Sequence, residues 1–397
     1  MQKFQHKIPQ AYAAGSRPSH CAAHIRRSTI ACMSIRTAVI GYGLAGRVFH
    51  CPFVHAVPGL ELVTIIVSNA GRAAQAREHY PLPQILPDLD SALHDPTLDL
   101  IVVATPNETH YDIAKAALLA GKHVVIDKPI TTSSAQAREL ITIAAAQGKV
   151  LAPFHNRRFD CDFLTIQKLH AENTLGRIVE VTSTFDRFRP LVRPNTWKES
   201  GPRNGLLFDL GPHLMDQAIA LFGKPARITC RDTVIRDTTD IDDFVSITLE
   251  FDSTLPSADE TRTVFYHCHA SMLAADPAPR FRVHGTHGSY LKQVLDPQEA
   301  ALIRGERPTE ACAWLPEPES AWGTLTLATK MSEPVEFTKA PYPSVTGDYR
   351  LYYANVRDAI EGTAPLIVPT EDGYRVLRLL ELARESSQQQ RTLEVSL

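Results

Sequence analysis

The sequence predicts an α/β protein: a doubly wound parallel sheet, followed by an α+β unit with a largely antiparallel sheet. Three observations carry that expectation. A β-like run, Thr37-Ala38-Val39-Ile40, leads straight into Gly41-Tyr42-Gly43-Leu44-Ala45-Gly46. Apolar strand-like runs then alternate with helix-like stretches as far as Phe154. After Asn156 the alternation stops and longer β-like segments take over.

Strands are expected at 37–40, 62–67, 100–104, 123–126 and 150–154, and helices at 44–54, 72–79, 109–120 and 133–147. Several of these strands are near-continuous apolar runs, as a parallel sheet buried on both faces requires. Gly121 and Gly148 stand where helix C-caps belong. In the second part a helix is expected at 163–170, a strand at 177–187, and a Pro-containing loop before a helix at 214–222. Strands follow at 226–236, 243–251, 261–269, 280–283 and 290–292, with a hairpin loop at 252–260. Residues 296–320 read as a polar excursion, and two helices close the chain near 349–360 and 371–385. The domains are therefore set at 1–34 for a basic extension without fixed structure, 35–155 for the dinucleotide-binding unit, and 156–397 for the α+β unit, with the chemistry expected at the junction of the last two.

The glycine run has the strand–tight turn–helix context of a dinucleotide fingerprint. Gly41 allows the turn, Gly43 lets a pyrophosphate approach the backbone, and Gly46 lets the helix lie close on the strand. The diphosphate would meet free N–H groups at the positive end of the helix dipole, over Tyr42, Leu44 and Ala45. An acid that binds the ribose 2′-OH belongs at the end of the second strand. Glu61 starts that strand and so lies at the wrong end, while the far end offers Ser68, Asn69 and Arg72. No carboxylate there repels a 2′-phosphate, so the expected cofactor is NADP, with NAD as the alternative.

Bulk properties exclude several classes. The chain has 397 residues, 44% of them hydrophobic, enough for a large core. A net charge of −3 gives no reason for a nucleic-acid or anionic-membrane partner, and no apolar run reaches membrane length. The seven cysteines form no CxxC pair, which argues for free thiols in a reducing, cytoplasmic compartment. No Asp or Glu precedes Glu61, and Lys3, Lys7, Arg17, Arg26, Arg27 and Arg36 make the leader basic. It reads either as an organellar targeting peptide or as an upstream extension of a chain starting at Met33. Its Pro and His content and lack of an amphipathic period favour the extension.

Two further clusters lie beyond the carboxyl ends of strands, where such sheets present ligands. They are Thr105-Pro106-Asn107-Glu108-Thr109-His110 and Asp127-Lys128-Pro129. Downstream, Asp209 and His213 stand four apart in Asp209-Leu210-Gly211-Pro212-His213-Leu214-Met215-Asp216, close enough to share a helix face. Pro212 either opens that helix or kinks a longer one beginning near Leu206. The His267-Cys268-His269 triplet suggests a metal, but strand alternation separates Cys268 from the two histidines, so no metal is expected.

Together these motifs resemble the glucose–fructose oxidoreductase / inositol dehydrogenase / rhizopine-catabolism (Gfo/Idh/MocA) oxidoreductases, over roughly residues 35 to 397. The runs Phe154-His155-Asn156-Arg157-Arg158-Phe159-Asp160, Gly285-Thr286-His287-Gly288-Ser289-Tyr290 and Leu295-Asp296-Pro297-Gln298-Glu299 are similar to the branch with NADP-dependent scyllo-inositol dehydrogenases. The resemblance implies a Rossmann domain joined to an α+β domain with an open sheet, often used in dimerisation, and a homodimer or homotetramer. It also implies a catalytic set at Lys128, Asp209 and His213, and cofactor contacts at Thr105, Pro106, Asn107, His110, Asp127 and Lys128. Asp127 replaces the commoner Glu.

The expected reaction interconverts a secondary alcohol of a polyol or sugar and its ketone. His213 is expected to move the proton, Asp209 to orient it, and Lys128 to polarise the reacting oxygen. Asn156, Arg158 and Trp197 are candidates for a sugar-facing wall. The competing readings are a reductase of a dihydrodiol, keto-sugar or bile-pigment-like carbonyl, and a non-catalytic NAD(P)-sensing regulator. A sensor needs the dinucleotide site but not the proton-transfer set.

Overall fold

The computed structural model describes residues 34–192, 204–254, 261–309 and 314–397. In the first half the chain alternates strand and helix: β1 (Ile35–Ile40), a π-helical turn (Gly46–His50) running into α1 (Cys51–Ala56), β2 (Leu60–Ile66), α2 (Ala70–His79), β3 (Gln84–Leu86) and α3 (Asp90–Leu93). It continues through β4 (Leu100–Val103), α4 (Asn107–Leu119), β5 (His123–Ile126), α5 (Ser134–Ala146) and β6 (Leu151–Pro153). The strands form one parallel six-stranded sheet ordered β3-β2-β1-β4-β5-β6. The order reverses at β1, so the crevice for a dinucleotide opens between β1 and β4. β3 and α3 are not in the sequence expectation: Pro81, Pro83 and Pro87 crowd a strand of three residues.

Alternate residues of these strands feed opposite faces. Ile40, Ile101, Val103, Val124 and Ile126 pack on one side, and Val39, Leu100, Val102 and Val125 on the other. Both faces are dry, which explains the unbroken Leu-Ile-Val-Val of β4.

The second half runs α6 (Cys161–Ala171), β7 (Ile178–Asp186), α7 (Leu206–Phe222), β8 (Arg227–Thr233), β9 (Phe244–Thr254), β10 (Thr261–Ser271), β11 (Phe281–Gly285) and β12 (Gly288–Lys292). Then come α8 (Gln298–Ile303), β13 (Gly323–Lys330), β14 (Glu336–Tyr342), α9 (Arg350–Ile360), α10 (Thr370–Gln389) and β15 (Leu393–Glu394). Its sheet has nine strands ordered β14-β13-β12-β11-β7-β10-β9-β8-β15. Only β7 and β10 pair in parallel; the other neighbours are antiparallel. β9 and β10 pair from Thr254↔Thr261, so residues 252–254 of the expected 252–260 hairpin loop belong to the strand, and 255–260 lie outside the described residues. β13 and β14 widen the sheet beyond expectation, and α8 puts a helix inside the supposed excursion.

The inner face of this sheet is covered by α7 and α10. α10 also packs on α5 and β6, and α9 on α1, so the last helices of the chain return to the first sheet. One apolar cluster accordingly runs from Ile101 and Ile126 through Leu377 and Leu380 to Ile247 and Tyr266. On the outer face Phe265 and Phe337 remain 41% and 63% exposed. Among the described residues no helix is long and apolar enough to cross a membrane.

Candidate active site

The glycine turn is built by close approach. Gly41 has a φ of +100°, and a Cβ there would lie 2.4 Å from the Ala104 carbonyl oxygen. A Cβ on Gly46 would lie 1.9 Å from the Gly41 carbonyl oxygen, so only glycine lets the helix sit this close. Gly43 is different: its missing Cβ faces open space, and the nearest atom is Arg72 Nη1 at 3.9 Å. That is a cradle for a phosphate with a guanidinium at its edge, and the residues fit a dinucleotide. Leu44 is exposed, Ala45 half-buried, and Tyr42 is folded inward with its hydroxyl 2.9 Å from His79 Nδ1. Burial pushes the Tyr42 phenol up to about 12.

At the end of β2, Ser68, Asn69 and Arg72 are all exposed. Asn69 Oδ1 accepts from Arg72 N at 3.0 Å and caps α2, so its amide N–H2 is what it has left to donate. Glu61 is at the opposite end, 3.2 Å from Arg36. In the next loop Thr109 Oγ1 donates to Thr105 Oγ1 at 2.7 Å, Pro106 caps α4, and Asn107 opens it. His110 is turned inward. Its two ring nitrogens lie 2.9 Å from the carbonyl oxygens of Pro129 and Thr105, so the ring braces the two ligand-side loops against each other.

Lys128 follows β5 directly. Its backbone N–H donates to Asp127 Oδ1 at 2.7 Å, and its Nζ donates to the Asp209 carbonyl at 2.6 Å and to Asp209 Oδ1 at 3.3 Å. The two side chains keep 14% and 20% of their surface open. The Lys128–Pro129 peptide is cis. Asp127 faces His50, whose Nε2 stands 3.8 Å from Oδ2. Burial works to raise the Asp127 carboxyl, but His50 and the charges of Lys128 and His110 overcome it and hold it at about 2. His50 itself was not legible as a site residue; it is anchored by Tyr353 Oη at 2.6 Å and packs at a tilt against Phe154, ring centroids 4.3 Å apart.

Helix α7 brings the other groups. Its start is pinned by Asp242, which accepts the N–H of Leu206 through its carbonyl and that of Leu207 through its side chain, both at 2.8 Å. Gly205 precedes it at φ +92°, and a Cβ there would lie 2.5 Å from Asp242 Oδ1. Of the two possible starts, the longer helix from Leu206 is the one formed, with Pro212 inside it. Pro212 offers no N–H to the Phe208 carbonyl, which costs the helix one bond. Gly211 lets α10 approach, since a Cβ would meet Leu380 Cδ2 at 2.8 Å. Asp209 and His213 therefore sit one turn apart. His213 is 6% exposed, and its ring lies 6.4 Å from that of Phe185. The lysine of the first sheet thus meets Asp209 of α7, with His213 one helical turn further on.

The candidate wall divides. Asn156 opens a 3-10 turn (Asn156–Phe159) and is 5% exposed. Trp197 lies outside the described residues. Arg158 is drawn into the scaffold instead of facing a sugar. Its Nε and Nη2 hold Asp216 at 2.9 and 2.6 Å, Nη2 also holds Asp372 at 2.9 Å, and Nη1 reaches the Ile367 carbonyl at 3.2 Å. Sequence reasoning missed this partner set, although Asp216 closes the quoted motif. It also missed His155. β5 and β6 are in register at Ile126↔Pro153, which carries His155 alongside Lys128. His155 is 1% exposed, and neither ring nitrogen has a hydrogen-bond partner among the described residues. Burial pushes its pKa down, so the ring is neutral.

His267 and His269 point to the outer sheet face and Cys268 to the core; His267 Nδ1 meets Thr248 Oγ1 at 3.0 Å. Cys51, Cys161, Cys230 and Cys268 are buried free thiols.

Residues 35–155 match the family model described as oxidoreductase family, NAD-binding Rossmann fold, and residues 168–396 the one described as oxidoreductase family, C-terminal alpha/beta domain. The chain is 40% identical over 360 residues to the uncharacterized oxidoreductase YdgJ of Escherichia coli (strain K12), covering 91% of this chain and 98% of YdgJ. It is 33% identical over 360 residues to scyllo-inositol 2-dehydrogenase (NADP(+)) IolW of Bacillus subtilis (strain 168), covering 91% and 96% respectively. A solved structure of yvaA from Bacillus subtilis superposes with a TM-score of 0.84 at 32% identity, over 92% of this chain and 99% of that one.

Proposed function

Because this chain belongs to the Gfo/Idh/MocA oxidoreductase family, with its NAD(P)-binding Rossmann domain, we propose that it is an NADP-dependent dehydrogenase. Its substrate is an inositol-like polyol or a sugar, and the reaction interconverts a secondary alcohol and its ketone. The observation that carries the reading is Lys128 Nζ seated on Asp209, one helical turn from His213, at the mouth of the cofactor crevice.

A bound nicotinamide cofactor takes up or gives the hydride. The side chains handle the proton and the oxygen. An ammonium beside a carboxylate is favoured in its charged form, so Lys128 donates a hydrogen bond to the reacting oxygen. His213 takes the proton of the alcohol and returns it to the ketone in the reverse direction. Asp209 holds Lys128 and faces the same side of α7 as His213, fixing both. Asn156 stays a candidate for the substrate wall.

Preference for NADP(H) is supported by Arg72 beside Gly43, by exposed Ser68 and Asn69, and by the absence of a carboxylate in Val67-Ser68-Asn69. The relative IolW carries NADP(+) in its name. The same reading makes the protein a cytoplasmic homo-oligomer, self-associating through the outer sheet face that exposes Phe265 and Phe337.

A screen of NADP⁺ and NAD⁺ reduction against inositol isomers and aldoses, read at the nicotinamide absorbance, tests this. Polyol-dependent NADP⁺ reduction is the expected result. Tight cofactor binding with no turnover of any alcohol or ketone would make the protein a sensor and overturn the reading.

A further inference from the structure

Within Asp296-Pro297-Gln298-Glu299 three side chains and one behave differently. Asp296 is buried and accepts the N–H groups of Cys161 and Gln298 at 2.7 and 2.8 Å. Gln298 is buried, donates to the Phe159 carbonyl at 3.3 Å and accepts from Tyr349 N at 2.8 Å. Pro297 caps α8. These residues fasten α8 to the fold. Glu299 does not: 24% of its side chain is open, and among the described residues only its Oε2 is engaged, by Arg157 Nη2.

Its place is given by one chain of contacts and by the charges around it. Arg157 also holds Asp160 at 3.2 Å and lies 5.1 Å over the ring of Phe185, a ring that Arg280 also covers at 4.1 Å and that stands 6.4 Å from the ring of His213. Separately, the charges of Arg187 and Lys128 bear on the Glu299 carboxylate. Glu299 thus lies on the side of the site bounded by Lys128, His213 and Phe185. Burial works to raise its carboxyl, and Arg157 overcomes it, so the group is ionised. An ionised carboxylate only accepts, with room for about four hydrogen bonds, and Arg157 occupies one oxygen.

We propose that Glu299 is a specificity-determining residue whose free oxygen accepts hydrogen bonds from hydroxyls flanking the reacting carbon of the polyol. The inference rests on the polyol-dehydrogenase reading. Such a site rejects an analogue lacking the matching hydroxyl, because the carboxylate is then left dry and unpaired.

The test is steady-state kinetics of the full chain with NADP⁺ on an inositol and its monodeoxy series, for wild type and Glu299→Gln. Glutamine keeps the volume and an acceptor for Arg157. The expected result is a fall in kcat/KM of about 10- to 100-fold on the inositol. For one deoxy analogue, wild type and variant should become equal, with NADP⁺ affinity unchanged. An equal loss on every analogue would make Glu299 a mere counter-ion for Arg157 and overturn the inference, as would an unchanged kcat/KM. Should Glu299→Gln not fold, Glu299→Asp, which keeps the charge but shortens the reach, is read by the same series. A wild type that oxidises no polyol or sugar overturns the functional reading and this inference together, whereas turnover unaffected by the variant removes Glu299 alone.

Discussion

Helix α7 carries two carboxylates seven residues apart, Asp209 and Asp216, and the protein sets them in opposite environments. Asp209 meets a lysine through one oxygen at 3.3 Å and stays 20% open. Asp216 meets an arginine through both oxygens, at 2.9 and 2.6 Å, and is 1% exposed. The Arg158 end is a saturated brace: it ties the turn after β6 to α7 and, through Asp372, to α10. The Lys128 end keeps 14% and 20% of its two side chains open, as a site that must exchange partners with a substrate requires. Proximity of opposite charges therefore does not separate site from scaffold here; the exposure left to the pair does.

That contrast can be broken by substitution, and the largest effect belongs to the open end. Lys128→Met combined with His213→Ala should lower kcat by about 10³-fold or more while the denaturant midpoint stays near wild type. Arg158→Met should do the reverse. Leaving Asp216 and Asp372 buried without their partner should cost about 3–5 kcal/mol of stability, read as a drop in denaturant midpoint. A stable Arg158→Met protein with a raised polyol KM would return Arg158 to the substrate wall and dissolve the comparison.

Smaller effects sharpen it. Arg72→Ala should weaken NADP⁺ by about 10- to 100-fold in Kd, the loss of charged hydrogen bonds to phosphate, and weaken NAD⁺, which lacks the 2′-phosphate, by less; fluorescence titration of both cofactors checks this. Asp127 gives the smallest and most specific effect. Its carboxyl drops from an ordinary 3.8 to about 2 on folding, worth about 2 kcal/mol of stability. A lowered pKa stabilises above the ordinary value and is lost as pH falls through the folded one. The stability gap between wild type and Asp127→Asn should thus shrink between about pH 4 and about pH 2 in acid denaturation curves. A gap that does not change over that window would remove the His50–Asp127 pairing from the account.

How much of this was legible in the sequence follows from range. The glycine turn, the buried strands β1, β2, β4, β5 and β6, and the Asp209–His213 spacing are local patterns. Each is set by neighbours within a few residues, and each reads off the chain. β3 was hidden by the prolines on both sides of Gln84–Leu86, and β14 by the Lys339 and Pro341 of an exposed edge strand. The early start of α7 was masked by Gly211 and Pro212, which look like a loop until Asp242 is seen pinning the first turn. The partners of Arg158 lie 58 and 214 residues away, and Arg157 finds Glu299 across 142, so no periodicity announces them. A histidine such as His155, left unpartnered beside Lys128, shows its importance only once burial is known.

The central claim is that Lys128, Asp209 and His213 act together on one alcohol carbon. Single-turnover reduction of the cofactor by whichever polyol or sugar the substrate screen finds, with and without deuterium on the reacting carbon, measures that step directly. The account predicts a rate that falls by about 10²–10⁴-fold in His213→Ala, with the isotope effect of hydride transfer fully expressed. A His213→Ala rate equal to wild type would contradict it.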